Sequence, residues 1–344
     1  MDAEGDVIYN VIKLNMSGNN PWGNDVAGAW LVKATPNDAA TKVTYATLVP
    51  NIPPPPGAPP GFCPATFFLT NGPDSLPWPP SATAVPTFFL CGSQRPAVNV
   101  GPAVAPDGTI YTVLVAHFDN MVAYLVAVNP DLTPKWASTL QNRLTDGCGV
   151  LLPIAGPGVT DLPNSCRFGT TVGVDPTTNA KGSGIVPDIA SSSPTVLPDG
   201  SVIFGATDNY NYGRGHLFHF GAQGNYLNAF TFGWDSTPGV YKHDGTYSII
   251  VKDNHYPAAA YCGGFQSPVC TALPPGPFLI SQLDPNMNIE WSFKNTTIDA
   301  QDPNGYEWCV NAPVENAFQL RERRHPCCRL GLVINLRNRL DRRL

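Results

Sequence analysis

A ten-residue motif occurs twice in this chain, 92 residues apart: Pro102-Ala103-Val104-Ala105-Pro106-Asp107-Gly108-Thr109-Ile110-Tyr111 and Pro194-Thr195-Val196-Leu197-Pro198-Asp199-Gly200-Ser201-Val202-Ile203. A looser copy runs from Pro238-Gly239-Val240 to Asp244-Gly245-Thr246-Tyr247. In each, a short apolar segment meets Asp-Gly and then a β-branched or aromatic run. That order predicts a hairpin, because glycine supplies the positive φ that tight turns require. A repeated supersecondary unit cannot bury its apolar faces alone, so the copies must pack on one another.

A second marker follows each hairpin. Leu125-Val126-Ala127-Val128-Asn129-Pro130-Asp131 leads to Trp136, and Ile280-Ser281-Gln282-Leu283-Asp284-Pro285-Asn286 leads to Trp291, with the same Pro-to-Trp spacing. Weaker copies start at Leu31 and Leu217, and Leu217 lies 92 residues after Leu125. Two independent markers therefore share one shift. Each unit reads as strand, Asp-Gly turn, strand, connection, strand, Pro-Asp/Asn turn, strand. That is about 40 to 45 residues without insertions, the size and order of one four-stranded propeller blade. Four units are counted, with a fifth opening at Asn311.

Composition agrees. Charged residues are 13% of the 344, against about 25% in ordinary domains, and 37 Pro and 32 Gly punctuate the chain. This suits short strands joined by turns and argues against helix bundles and coiled coils. The fold class expected is all-β, a propeller of four-stranded antiparallel blades over residues 1–320. Long insertions at 51–90, 141–190 and 254–276 explain the uneven spacing, the first being too proline-rich for a sheet interior.

Residues 1–320 carry 12 Lys+Arg against 24 Asp+Glu, whereas 321–344 hold eight Arg and two acids. The basic tail reads as foreign to the fold, and a larger ring cut short would fit it; an arm for an acidic partner is the other reading. The net charge of −6 gives no polyanion-binding signature, so nucleic acid is not an expected partner. No run of 18 apolar residues exists, so no helix is expected to span a bilayer. The acidic opening Met1-Asp2-Ala3-Glu4 does not read as a leader. Cys148 with Cys166 and Cys262 with Cys270 each flank one insertion, and Cys63 with Cys91 would close the proline-rich one. Such pairings point to an oxidising, extracellular or periplasmic location.

The pattern from Pro106-Asp107-Gly108-Thr109-Ile110-Tyr111 through Val128-Asn129-Pro130-Asp131 to Trp136 resembles the repeats of pyrroloquinoline-quinone-like (PQQ-like, quinoprotein-type) β-propellers. The resemblance covers roughly residues 95–300. It implies that Trp136 and Trp291 dock neighbouring blades together, although Thr133 and Asn288 stand where many members have Gly. It also admits Ca²⁺ and PQQ as cofactors, with no residue assigned to either.

In such a blade the connection between the second and third strands opens on the face where family ligands usually lie. Here those connections carry Asp119 and Asn120, then Asp208, Asn209, Tyr212 and Arg214, then Asp253, Asn254, His255 and Tyr256. Converging carboxylates and amides could hold a hard cation or, with the tyrosines, a sugar. Asp and Asn are equally good turn residues that bond their own backbone. His216 and His219 lie an odd number apart on a strand and should point to opposite faces, which disfavours joint metal binding. No G-x-S-x-G elbow, P-loop, H-E-x-x-H or G-x-G-x-x-G occurs. The expected role is a non-catalytic module binding a protein or carbohydrate on one face. A Ca²⁺- and PQQ-dependent dehydrogenase and a structural assembly scaffold are the rival readings.

Overall fold

The computed structural model describes residues 1–15, 26–50, 52, 62–64, 88–90, 93–97, 100–116, 123–140, 143, 192–206, 215–231, 233–234, 236–254, 278–294, 298–301 and 307–310. The described residues are all-β apart from one helical turn. The first sheet is a meander of β1 (Val7–Leu14), β2 (Val26–Ala34) and β3 (Ala40–Thr44), followed by α1 (Tyr45–Leu48). A short pair, β4 (Phe62–Pro64) and β5 (Phe88–Leu90), lies within the first expected insertion.

The second sheet joins β7 (Ala103–Val104), β8 (Ile110–Val115), β9 (Ala123–Val128) and β10 (Pro134–Thr139), with β6 (Arg95–Pro96) also paired to β8. The third runs β11 (Thr195–Val196), β12 (Val202–Ala206), β13 (His216–Phe220) and β14 (Tyr226–Thr231). The fourth runs β15 (Gly239–His243), β16 (Thr246–Asn254), β17 (Phe278–Leu283) and β18 (Ile289–Lys294). β19 (Ile298–Gln301) pairs with β20 (Glu307–Val310). Each pairing is antiparallel, and no described sheet closes into a barrel.

One turn geometry recurs seven times. In it the first residue's N–H bonds the fifth residue's carbonyl, the fourth N–H bonds the first carbonyl, and the fourth residue has positive φ. It opens at Ala105 and Leu197, as the Asp-Gly motif predicts, and at Asn129, Gly221 and Asp284, the second marker. It also opens at Thr35 and at Asp2, so the acidic start of the chain is itself a hairpin turn. Side chains lock the loop locally: the Thr109 amide and hydroxyl donate to Asp107 at 2.9 Å, and those of Ser201 to Asp199 at 2.9 and 2.6 Å. The fourth sheet departs from the pattern. Asp244 and Gly245, at φ 45° and 76°, make a two-residue hairpin of the mirror-image type.

The turns set a common register, and the register sets the faces. Ile8 and Leu31 face the second sheet, forming one core with Tyr45 of α1 and with Ile110, Leu114, Val126 and Val128. Tyr111, Val113, Val115 and Leu125 face the other way, against Val202, Phe204, Phe218 and Phe220 of the third sheet. Ile203 and Leu217 in turn meet Tyr247, Ile249, Val251 and Leu283 of the fourth. Among the described residues the four sheets thus stack face to face in chain order, with three separate cores. Strands covered on both faces read as continuous apolar runs, and every residue of β8, β12 and β13 is buried. Corresponding first strands are also tied together. The Gly101 amide donates to Ser193 Oγ and the Ser193 amide to Thr237 Oγ1, each at 2.9 Å.

Candidate functional site

Each seam between sheets is closed at the turn end by a side chain that donates to a backbone carbonyl in the next sheet's third-to-fourth-strand turn. Lys33 Nζ, held by Asp2 and Asp6 at 2.8 and 3.1 Å, reaches the Pro130 carbonyl at 3.4 Å. Trp136 Nε1 donates to the Ala222 carbonyl at 3.0 Å, and its ring lies against Gly224. Arg143 reinforces that seam by stacking over Phe220 and Tyr226. Asn228 Nδ2 donates to the Asn286 carbonyl at 2.9 Å.

Among the described residues, the third seam holds a cluster that the other two lack. Ser201 Oγ lies 2.6 Å from Asp199 Oδ1 and 2.8 Å from His219 Nε2. His219 Nδ1 lies 3.0 Å from Asn228 Oδ1. From the fourth sheet, the Tyr247 hydroxyl donates to Asp199 Oδ2 at 2.8 Å. Ser201 and His219 are 5% and 4% exposed and so shielded from bulk water, whereas Asp199 is exposed.

Counting protons assigns the chemistry. A carboxylate only accepts, so the single Ser201 hydroxyl hydrogen goes to Asp199, and His219 Nε2–H must donate to Ser201. The serine proton is therefore not offered to the imidazole as a base, which is the arrangement a nucleophile needs. Asn228 presents Oδ1 to Nδ1 while its Nδ2 is committed to Asn286. With the amide so placed, the Oδ1 contact is made when Nδ1 carries a proton. Removing it sets two acceptors against each other, and turning the amide relieves the ring at the expense of the contact to the Asn286 carbonyl, which is exposed to water. The cluster is thus a cross-sheet latch in which the His219 proton and the orientation of the Asn228 amide are coupled. Burial holds the His219 pKa below its ordinary 6.5, opposed by the Asn228 contact and the Asp199 charge. Burial also works to raise the Asp199 pKa, but bonds from Ser201 and Tyr247 and the His219 charge keep it below 3.8. The Tyr247 phenol is pushed up by burial and by Asp199.

A related trio lies on the outer face of the fourth sheet. Ser248, 0% exposed, donates to Glu290 at 2.6 Å and sits 2.8 Å from His243 Nε2, and Gln282 Nε2 bonds Glu290 at 2.6 Å. Again the acid takes the hydroxyl proton.

Of the residues expected on the ligand face, Asp119, Asn120, Asp208, Asn209, Tyr212, Arg214, His255 and Tyr256 lie outside the described residues. So do Cys91, Cys148, Cys166, Cys262 and Cys270; Cys63 is placed in β4 by its backbone alone. Asp253 and Asn254 end β16. Asp253 is buried and accepts from Ser281 Oγ at 2.8 Å, and Ser281 also meets Ser292 at 2.8 Å. Trp291 holds in β18 the register position of Trp136 in β10, opposite Gln282. His216 turns toward Phe218 in the second-to-third core while His219 turns into the third seam, on opposite faces of β13. Among the described residues no three His, Cys, Asp or Glu side chains converge as a metal would need.

The seam cluster was within reach of the sequence only in part. Asp199 and Ser201 belong to the repeated motif, but their place in a cross-sheet latch depends on Tyr247, which a periodicity places on a strand and not against a particular carboxylate.

No family model matches this chain, and no curated protein is similar to it. Among solved structures, the chain is similar to a protein of unknown function from Bacteroides caccae, at 8% identity and a TM-score of 0.31. That similarity covers 87% of this chain, which spans 65% of the length of the other.

Proposed function

We propose that the chain is a secreted or periplasmic β-propeller of the PQQ-like type, acting as a binding module without catalysis of its own. The serial stacking of register-matched sheets supports this, with first strands side by side through Gly101, Ser193 and Thr237. In each of the second to fourth sheets the second strand ends, and the third begins, at the end opposite the two hairpin turns. The connections between them carry Asp119, Asp208 and the residues after Asp253. Brought together on one face, they would offer carboxylates, amides and tyrosines to a carbohydrate or a polar protein surface. The commitment of the Ser201 and Ser248 hydroxyls to carboxylates favours a structural role for both acid–serine–histidine groups.

Glycan-array and pull-down measurements on wild type and an Asp119→Ala/Asp208→Ala variant test the reading. Asp253 is left intact because it is a buried acceptor for Ser281. Binding weakened about tenfold or more, with an unchanged melting temperature, is the expected result. Unchanged binding moves the site elsewhere. Dye reduction after reconstitution with PQQ and Ca²⁺ would replace the binding module with a dehydrogenase, and capture of one protein but no glycan would favour the scaffold role. Peptide mapping without reductant is expected to return the pairs Cys148–Cys166, Cys262–Cys270 and Cys63–Cys91.

A further inference from the structure

In three of the four sheets a first strand lies along the edge of the second strand that faces away from the third: β7 on β8, β11 on β12 and β15 on β16. In the first sheet the place of the second strand is taken by β1, and among the described residues no strand lies on that edge. The turns fix which backbone groups are left open. The Ala105 amide bonds the Thr109 carbonyl and the Ala97 amide the Val113 carbonyl, so Thr109, Tyr111 and Val113 turn their backbone groups to this edge of β8. Asp2 and Ala105 open the same turn, so the counterparts in β1 are Asp6, Ile8 and Asn10, with Ile12 next. The Asp6 carbonyl takes the Asp2 amide. The main-chain groups of Ile8, Asn10 and Ile12 meet no strand among the described residues, while those of Val7, Tyr9 and Val11 face β2.

An open edge recruits another strand unless it is short, charged or interrupted by proline. β1 runs for eight residues, Val7–Leu14, without proline and with Lys13 as its one charge, whereas β7 and β11 are two residues each. The chain also shows what such an edge accepts. β7, β11 and β15 each begin directly after a proline, with a small residue and then valine: Pro102-Ala103-Val104, Pro194-Thr195-Val196 and Pro238-Gly239-Val240. In the first two the small residue stands opposite Tyr111 or Ile203, and the valine opposite Ile110 or Val202. The matched turns place Ile8 and Val7 at those two positions of β1.

We infer that the open edge of β1 docks an extended segment of a partner polypeptide in which proline, a small residue and valine follow one another. The segment runs antiparallel to β1, its small residue opposite Ile8 on the side of the first core and its valine beside Val7, which is 47% exposed. Main-chain bonds to Ile8 and Asn10 supply affinity, and the alternating side chains supply selectivity. The edge is separate from the connections that carry Asp119 and Asp208, and the inference does not depend on what those connections bind.

A fluorescent synthetic peptide with the sequence of residues 190–198, which contains the first strand of the third sheet, is the probe. Titrating the full chain into it should give a saturable rise in anisotropy with a Kd between about 10 μM and 1 mM. Methylating the peptide's amide nitrogen at the position of Thr195 removes the donor aimed at Ile8 and should weaken binding about tenfold or more. By hydrogen exchange, the Ile8 and Asn10 amides should exchange freely in the protein alone and slow about tenfold or more with saturating peptide, whereas those of Tyr9 and Val11 should be slow in both. A variant with Met1→Val and Ser-Ser-Pro-Thr added ahead of it supplies the strand from its own chain. It should melt at a higher temperature than wild type and no longer bind the peptide. Anisotropy that never saturates, equal binding of the methylated peptide, Ile8 and Asn10 amides already slow in the protein alone, or an extended variant that binds as wild type does would each overturn the inference.

Discussion

The Tyr247 hydroxyl donates to Asp199 Oδ2 across the third seam at 2.8 Å, tying the second strand of one sheet to the first hairpin turn of the sheet before it. The same carboxylate holds its own turn through Ser201. One residue therefore fixes both a local conformation and the spacing of two sheets.

Tyr247→Phe keeps the buried ring and removes only the donor. A hydrogen bond to a charged group contributes about 1.5 to 3 kcal/mol, and the partly wetted carboxylate puts the loss near the lower figure. Urea denaturation should show a drop of about 1.5 kcal/mol with an unchanged m-value. A variant as stable as wild type would mean water replaces the phenol.

The histidine in the latch gives the fold an acid sensitivity. Burial lowers the His219 pKa below 6.5, so the unfolded chain binds its proton more readily. Stability from this group is complete above that ordinary value and falls as the pH drops toward the folded-state pKa. His219→Gln should flatten the stability profile on the acid side of neutrality. In wild type the Asn228 side-chain amide resonances should shift with the His219 ring titration, since the proton decides which end of the amide faces the ring. Asn228 signals indifferent to pH would sink the latch.

Gly224 has φ 82°, and a Cβ there would lie 2.7 Å from the Trp136 ring. Gly224→Ala should cost about 2 to 3 kcal/mol, combining left-handed strain with displacement of the indole. In a double-mutant cycle with Trp136→Ala, the clash part should vanish and the backbone part remain. Purely additive losses would show that the ring does not rest on the turn.

Phe218 is fully buried in the middle core among Phe220, Tyr226 and His216. Phe218→Ala should cost about 3 to 5 kcal/mol through lost transfer energy and the cavity left behind. Thermal unfolding that shifts by only a degree or two would mean that this core is not where the stacked sheets hold together.

What the sequence made legible was local. The 92-residue shift is carried by turn chemistry, and Asp107 and Asp199 do close their turns through Thr109 and Ser201. The apolar runs of β8 and β12 likewise announce strands covered on both sides. Turns without glycine were harder to see: Leu132 and Met287 adopt φ 67°, a conformation their side chains do not advertise. The turn at Asp2 was hidden because its aspartates read as charge. Contacts between sheets, such as those of Tyr247 and Asn228, depend on how faces meet and have no spacing in the chain.

Among the described residues the three cores do not merge, and each is built by the two layers that bound it. Cohesion of this kind is pairwise, as in a row of dominoes, with no single keystone. The middle layers gain from two neighbours and the end layers from one. Heat or denaturant should therefore peel the molecule from its extremities inward, and whatever caps those extremities sets how much stress the whole can bear.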